Sequence, residues 1–210
     1  MGIKQKPNLN FENFLWSQGF EFVAGVDEAG VAPLAGPVVA AAVIFKPGIN
    51  IRELQNVSDS KTLNSKERGR LKDLITICCL DFGIGIVEVD EIDELNIHRA
   101  TRLAMRRAVE KLKKTTVLLI DGPFAIPEMK ILQFAVVDGD AKIASISAAS
   151  IIAKVTRDRI MAELHEQYPQ YGLARHKGYP TKHHITQILE YGPTPMHRKS
   201  FLTKLLNQSV

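Results

Sequence analysis

Cysteine is almost absent from this chain of 210 residues: there are two, Cys78 and Cys79, and they are neighbours. Adjacent cysteines rarely close a structural disulfide, and these two offer no cysteine-based metal site. Long apolar runs are missing as well. The longest, Val38 to Phe45, falls far short of a membrane span, so no membrane partner is expected. Met1 to Gln18 is mixed and polar, unlike a secretory leader, and a cytoplasmic protein is the plain inference. No repeat, low-complexity tract or Pro/Gly/Ser linker divides the chain. Several catalytic signatures are also absent. There is no Gly-x-x-x-x-Gly-Lys-Ser/Thr loop, no Gly-x-Ser-x-Gly elbow and no His-Glu-x-x-His, and Gly83-Ile84-Gly85 lacks the third glycine of a dinucleotide fingerprint.

What is present is the make-up of an ordinary globular protein, 45% hydrophobic and 24% charged, which excludes collagen-like, coiled-coil and largely disordered chains. The net charge of +4 is unevenly spread. Residues 141–210 carry 10 Lys and Arg against 4 Asp and Glu, a balance of +6, and the first 140 residues balance at −2. His165, His176, His183, His184 and His197 fall in the basic third. Such asymmetry points to a polyanionic partner, although a solvated basic face gives the same count.

Phe20 to Asp27 and Val38 to Phe45 read as strands joined by a loop with two glycines and two prolines. Asn64-Ser65 can cap a helix with Leu71, Leu74, Ile75 and Cys78 on one face. Phe82 to Val89 reads as a strand, and Leu95 to Leu112 as one amphipathic helix. Val117 to Ile120 and Phe134 to Val137 are short buried-type strands. Ala141 to Tyr168 is mostly helical, Pro169 to Pro180 a Gly- and Tyr-rich loop, and a short helix begins near Thr181. Antiparallel strands followed by strand–helix alternation predict an α/β protein, a mixed sheet flanked by helices.

Three apolar runs end in carboxylates: Asp27-Glu28, Asp121 and Asp140. Strand ends of one sheet share a rim, so these side chains can converge. Four carboxylates there suit Mg²⁺ or Mn²⁺, and two such ions are a standard device for phosphodiester hydrolysis. Structural alternatives stand beside this reading. Asp121-Gly122 and Asp138-Gly139-Asp140 also read as turns, and Asp140 as a helix cap. Asp158, between Arg157 and Arg159, reads as a helix-surface charge pair, and His183-His184 as surface residues.

The sequence Ala24-Gly25-Val26-Asp27-Glu28-Ala29-Gly30 followed by Pro33-Leu34-Ala35-Gly36-Pro37-Val38-Val39-Ala40 closely resembles the opening signature of the bacterial ribonuclease HII family. The likeness continues through Asp59-Ser60-Lys61, Ile92-Asp93-Glu94-Leu95-Asn96-Ile97, Leu119-Ile120-Asp121-Gly122 and Gly139-Asp140-Ala141. It extends through the block from Ser147 to Arg159, then His176-Lys177-Gly178-Tyr179 and Tyr191-Gly192-Pro193-Thr194-Pro195-Met196-His197-Arg198. The motifs run in the same order from Gly25 to Phe201. The resemblance implies a ribonuclease H-like core over about 20–168 and a basic helical C-terminal part over about 169–210, together one catalytic domain. It implies a monomeric endonuclease of DNA replication and repair that cuts the RNA strand of RNA–DNA hybrids. Such an enzyme also nicks DNA 5′ to embedded ribonucleotides, leaving 5′-phosphate and 3′-hydroxyl ends. By the same resemblance Asp27, Glu28, Asp121 and Asp140 are catalytic and hold the divalent metal. Tyr179 packs on the sugar at the RNA–DNA junction, and Ser60, Lys61 and Lys154 lie near the nucleic-acid backbone.

One departure stands out. Where the family typically has Gly-Arg-Gly, contacting the ribonucleotide's 2′-hydroxyl and a phosphate, this chain has Gly30-Val31-Ala32. Val31 cannot donate a guanidinium hydrogen bond, and Ala32 adds a Cβ where glycine permits close approach and unusual dihedrals. The expectation is intact hydrolysis with weakened recognition of an isolated ribonucleotide, by about 1.5–3 kcal/mol. The alternative is a module that binds RNA–DNA hybrids without cutting. Asp138, where a lysine is common, adds a fifth acid beside the proposed site, and Pro180 follows Tyr179.

Overall fold

The computed structural model describes residues 6–51 and 65–207. Ser60 and Lys61, and the proposed cap Asn64, lie outside the described residues. Helix α1 (Asn10–Ser17) leads into strands β1 (Val23–Ala29) and β2 (Val38–Ile44), helix α2 (Ser65–Cys78) and strand β3 (Asp81–Val87). Helices α3 (Val89–Leu95) and α4 (Ile97–Glu110) precede strands β4 (Val117–Asp121) and β5 (Leu132–Val136). The long α5 (Ala144–Gln167) is followed by α6 (Leu173–His176), α7 (Lys182–Tyr191) and α8 (Lys199–Asn207).

The strands form one mixed sheet in the order β3-β2-β1-β4-β5. β1 pairs antiparallel with β2 and parallel with β4, and β4 pairs parallel with β5. β2 is buried along its whole length because helices cover both faces. Val38, Ala40, Ala42 and Ile44 meet α4, and Val39, Ala41 and Val43 meet α5. Burying each such valine or isoleucine stabilises the fold by about 1.5–3 kcal/mol. The glycines of Gly83-Ile84-Gly85 serve this packing. A Cβ at Gly85 would lie 1.9 Å from the Ala104 carbonyl oxygen, so β3 presses directly on the α4 backbone.

The helix expected from Leu95 to Leu112 is broken near its start. Asn96 takes φ 69, and its side chain accepts hydrogen bonds from the amides of His98 and Arg99, capping α4 anew. Apolar spacing continues across the break, which is why periodicity alone missed it. α5 starts at Ala144, where the buried Glu12 accepts from the Ser145 amide at 2.9 Å. The expected loop 169–180 holds a 3₁₀ turn (Pro169–Tyr171) and α6. The C-terminal helices pack Tyr171, Leu173, Ile188 and Leu202 against Leu34 and Met161. Asp93 of α3 caps α8 by accepting from the amides of Lys199 and Ser200. No helix of the described residues is long and apolar enough to cross a membrane.

Candidate active site

The parallel pairing of β1 with β4 aligns Val26 with Ile120, so the next step along each strand sets Asp27 beside Asp121. Asp140 follows β5, whose Val136 pairs with Asp121, and sits on the turn Gly139–Ala141. The Asp121 carboxylate closes that turn onto the sheet, accepting from the Gly139 amide at 2.7 Å and the Asp140 amide at 3.4 Å. Asp27 and Glu28 alternate across the strand. Asp27 is buried on the α5 side, where Ser150 bonds to it, and Glu28 borders the cleft. The turn role that the residues alone allowed for Asp121 and Asp140 is therefore present together with the convergence.

Electrostatics mark the cluster as strained by like charge. Burial lifts Asp27 well above the usual carboxylate range, and the charges of Glu28 and Asp121 lift it further. Glu28 is raised to about 7, by burial first and then by Asp121. Asp121 is raised by burial and by Asp140. No lysine or arginine of the described residues is among the charges that act on these three. Among the described residues, no three His, Cys, Asp or Glu side chains stand together as a preformed set able to hold a metal ion. An open, oxygen-only set of acids that repel one another fits a hard divalent cation sharing its coordination with a ligand. Asp138 is exposed, takes a left-handed φ of 54, and is not among the charges acting on these acids.

Beside the acids opens a cleft of about 530 Å³, lined by Glu28, the Gly30–Ala32 loop, Lys154 and Tyr179, and also by Arg68 and Ser150. The loop is held from beneath by two buried guanidiniums. Arg198, fully buried, donates to the carbonyls of Gly30 (2.6 Å), Val31 (3.0 Å) and Gly36 (2.8 and 2.9 Å). Arg157, 1% exposed, donates to the carbonyls of Ala35, Pro37 and Lys177. Burial lowers Arg198 to about 9 and Arg157 to about 10. A trans peptide points its N–H opposite its C=O. With the Gly30 and Val31 carbonyls turned onto Arg198, the amides of Val31 and Ala32 face away from it. Neither finds an acceptor among the described residues. Gly30 alone in this loop needs a left-handed φ (99), and a Cβ there would strike Arg157. Val31 and Ala32 have ordinary φ values, which corrects the expectation that Ala32 occupies a glycine-requiring conformation.

Tyr179 is 43% exposed, and its backbone is pinned from several directions. The Gly178 carbonyl accepts from Leu34 N–H, tying the tyrosine turn to the loop. The Tyr179 carbonyl is 3.0 Å from His184 Nδ1, and His184 Nε2 lies 3.1 Å from His197 Nε2. His197 Nδ1 accepts from the Thr194 amide, so its Nε2 carries the proton donated to His184, which donates to Tyr179 in turn. His184 is fully buried, which corrects its reading as a surface residue; His183 is exposed. Burial lowers both His184 and His197 to about 4. Asp158 forms a helix charge pair as read, with Lys154 one turn away at 2.5 Å, and it also lies 3.7 Å from Arg68; its side chain is 15% exposed.

Sequence reading missed Arg68, Arg157 and Arg198, because an arginine in a sequence gives no sign of its burial. It also missed a basic face on α4, which carries four arginines and one glutamate within the segment whose overall balance is negative. A count along each helix, rather than over 140 residues, reveals that face.

A family model described as Ribonuclease HII matches residues 24–204. A Ribonuclease HII from Caldanaerobacter subterraneus subsp. tengcongensis is 48% identical over 205 residues, covering 97% of this chain and 84% of the relative. One from Burkholderia pseudomallei is 51% identical over 201 residues, covering 95% and 90%. Among solved structures, the ribonuclease H2 from Pyrococcus horikoshii OT3 superposes with a TM-score of 0.72 at 29% identity, covering 89% of this chain and 97% of that one.

Proposed function

The chain belongs to the ribonuclease HII family, endoribonucleases of RNA–DNA hybrids, and from that premise we propose that Asp27, Glu28, Asp121 and Asp140 are its catalytic carboxylates and hold divalent metal, Mg²⁺ or Mn²⁺, in a two-ion arrangement. The observation that carries this reading is their convergence at one edge of the sheet, close enough that Asp121 raises Asp27 and Glu28 and Asp140 raises Asp121. A bound divalent ion supplies Lewis acidity toward phosphate oxygens and offsets the repulsion among the acids. The substrates are RNA–DNA hybrids and DNA carrying embedded ribonucleotides. Water adds across the P–O3′ bond, which breaks as the new P–O bond forms, leaving a 5′-phosphate and a 3′-hydroxyl.

The rest of the cleft binds and orients. The outward amides of Val31 and Ala32 can donate to a 2′-hydroxyl or phosphate oxygen, and Tyr179 offers its ring to the junction sugar. Lys154 faces the backbone, with Ser60 and Lys61 assigned there by family resemblance. Residues 169–210 act as the gripping part of one catalytic domain, working as a monomer.

The test is cleavage of a labelled RNA–DNA hybrid and of a DNA duplex with one ribonucleotide, each with Mg²⁺, Mn²⁺ or EDTA. Metal-dependent cuts leaving 5′-phosphates are expected. Binding with no cut under any metal would overturn the assignment and leave a hybrid-binding module.

A further inference from the structure

Next to the cleft beside the acids lies a second depression of about 220 Å³, which Tyr179 does not line. It shares Glu28 and Val31 with the Tyr179 cleft and adds Asp121, His98, Arg102 and Phe124. His98, Thr101, Arg102 and Met105 follow the i, i+3, i+4, i+7 pattern, so one face of α4 forms its wall. Phe124 closes the other side, three residues after Asp121.

Three features of this wall have no structural use. Phe124 is 64% exposed, so its ring contributes little to the core. Arg102 lies over that ring at 5.1 Å and has no ion pair among the described residues. Its neighbours on α4 differ: Arg106 pairs with Glu110 and Glu128, and Arg107 with Glu91. The Thr101 hydroxyl is shut away from solvent with no hydrogen-bond partner. Arg102 also borders a further depression of about 530 Å³, flanked by Arg99 and Arg106, so the basic surface continues outward along α4.

A ligand for this wall must carry negative charge for Arg102 and His98 and a flat, weakly polar face for Phe124. It must also be continuous with whatever lies over Glu28 and Asp121. A sugar–phosphate chain has these properties in that order. We propose that Phe124 and Arg102 form a second nucleotide subsite, which packs a sugar and binds a phosphate of the substrate strand on the opposite side of the cut from Tyr179. The subsite rests on the nuclease reading above and extends it, since it makes the enzyme sensitive to the duplex on both flanks. Aromatic contacts to nucleotides tolerate any sequence, so it grips without reading bases.

The experiment uses the full chain and fluorescein-labelled duplexes with one ribonucleotide, shortened stepwise on either flank. Dissociation constants come from fluorescence anisotropy with metal withheld, and KM from cleavage with Mg²⁺. Both side chains reach solvent, so Phe124→Ala and Arg102→Gln should fold, and melting temperatures check that they do. Lys46→Gln, at the opposite end of β2 from the acids, controls for loss of any positive charge. Each subsite variant is expected to raise the dissociation constant roughly fivefold or more. Arg102→Gln should also reduce the slope of log affinity against log salt by about one, and Phe124→Ala should leave it unchanged. Shortening one particular flank should weaken binding by the native protein and leave a variant carrying both Phe124→Ala and Arg102→Gln unaffected. Affinities within twofold of native, with an unchanged response to both flanks, would overturn the subsite. If the native protein bound without cutting, the nuclease reading would fail while the anisotropy series still decided the subsite.

Discussion

Replacing Arg198 tests how the Gly30–Ala32 loop is held. In Arg198→Met the carbonyls of Gly30, Val31 and Gly36 lose their donor, while Pro37 keeps its bond from Arg157. Hydrogen bonds to a charged group contribute about 1.5–3 kcal/mol each, so the loss is roughly 5–9 kcal/mol. The opposing effect is the burial of the guanidinium. Its depression from 12.5 to about 9 corresponds to about 5 kcal/mol against the charged form, which methionine removes. The two nearly cancel, leaving a net destabilisation of about 2 kcal/mol, or roughly 4–8 °C in melting temperature for a chain this size. Catalysis has no such offset. Without Arg198 nothing turns the Val31 and Ala32 amides outward, and misplacement on the ångström scale lowers rates about 10²-fold. Arg198→Lys should be less stable than Arg198→Met, because lysine keeps the buried charge without the planar fork. The assays are thermal unfolding and cleavage of a duplex with one ribonucleotide. A folded Arg198→Met within threefold of native activity would refute the reasoning, as would a lysine variant more stable than the methionine one.

Asp27→Asn should raise the melting temperature in EDTA by several degrees, because the folded acid is held above its unfolded value and its charge opposes folding at pH 7. Cleavage should fall at least 100-fold, and a variant both active and unchanged in stability would contradict this. Val31→Arg should improve kcat/KM on a single ribonucleotide by up to about tenfold at low salt, equal to about 1.4 kcal/mol. Equal efficiency would show that the outward amides suffice. For His197 the sign is the reverse of that for Asp27. Its folded value of about 4 lies below the unfolded 6.5, so stability is lost as pH falls from about 6.5 toward 4. The raised acids Glu12, Asp27 and Glu28 act in the opposite sense but are common to native protein and His197→Gln. Between pH 6.5 and 5 the native protein should therefore lose about 2 kcal/mol more than the variant in chemical denaturation. Parallel curves would refute the neutral histidine pair.

The strands and their acids were legible because both depend on local pattern: apolar runs such as Val117 to Ile120, each ending in a carboxylate. Family resemblance then favoured Asp140 over Asp158, whose side chain pairs with Lys154 and Arg68. What stayed hidden depends on distant partners. Asp93 and Asn96 belong to a motif that looks functional, yet they cap α8 and α4. His184 looked exposed because its helix is short and mostly polar, and only the fold shows His197 against it. The burial of Arg157 and Arg198 was hidden because carbonyl partners leave no trace in a composition.

The bond from Arg198 to Gly30 joins residues 168 positions apart. All four carboxylates precede residue 141, yet Asp27 is buried against α5 and bonded by Ser150, so the acid cluster also needs chain beyond that point. The loop beside it cannot take its final shape until the segment around Arg198 has left the ribosome and docked. During synthesis, therefore, the acids on β1 and the loop after it both wait for partners that emerge much later, Ser150 for Asp27 and Arg198 for Gly30.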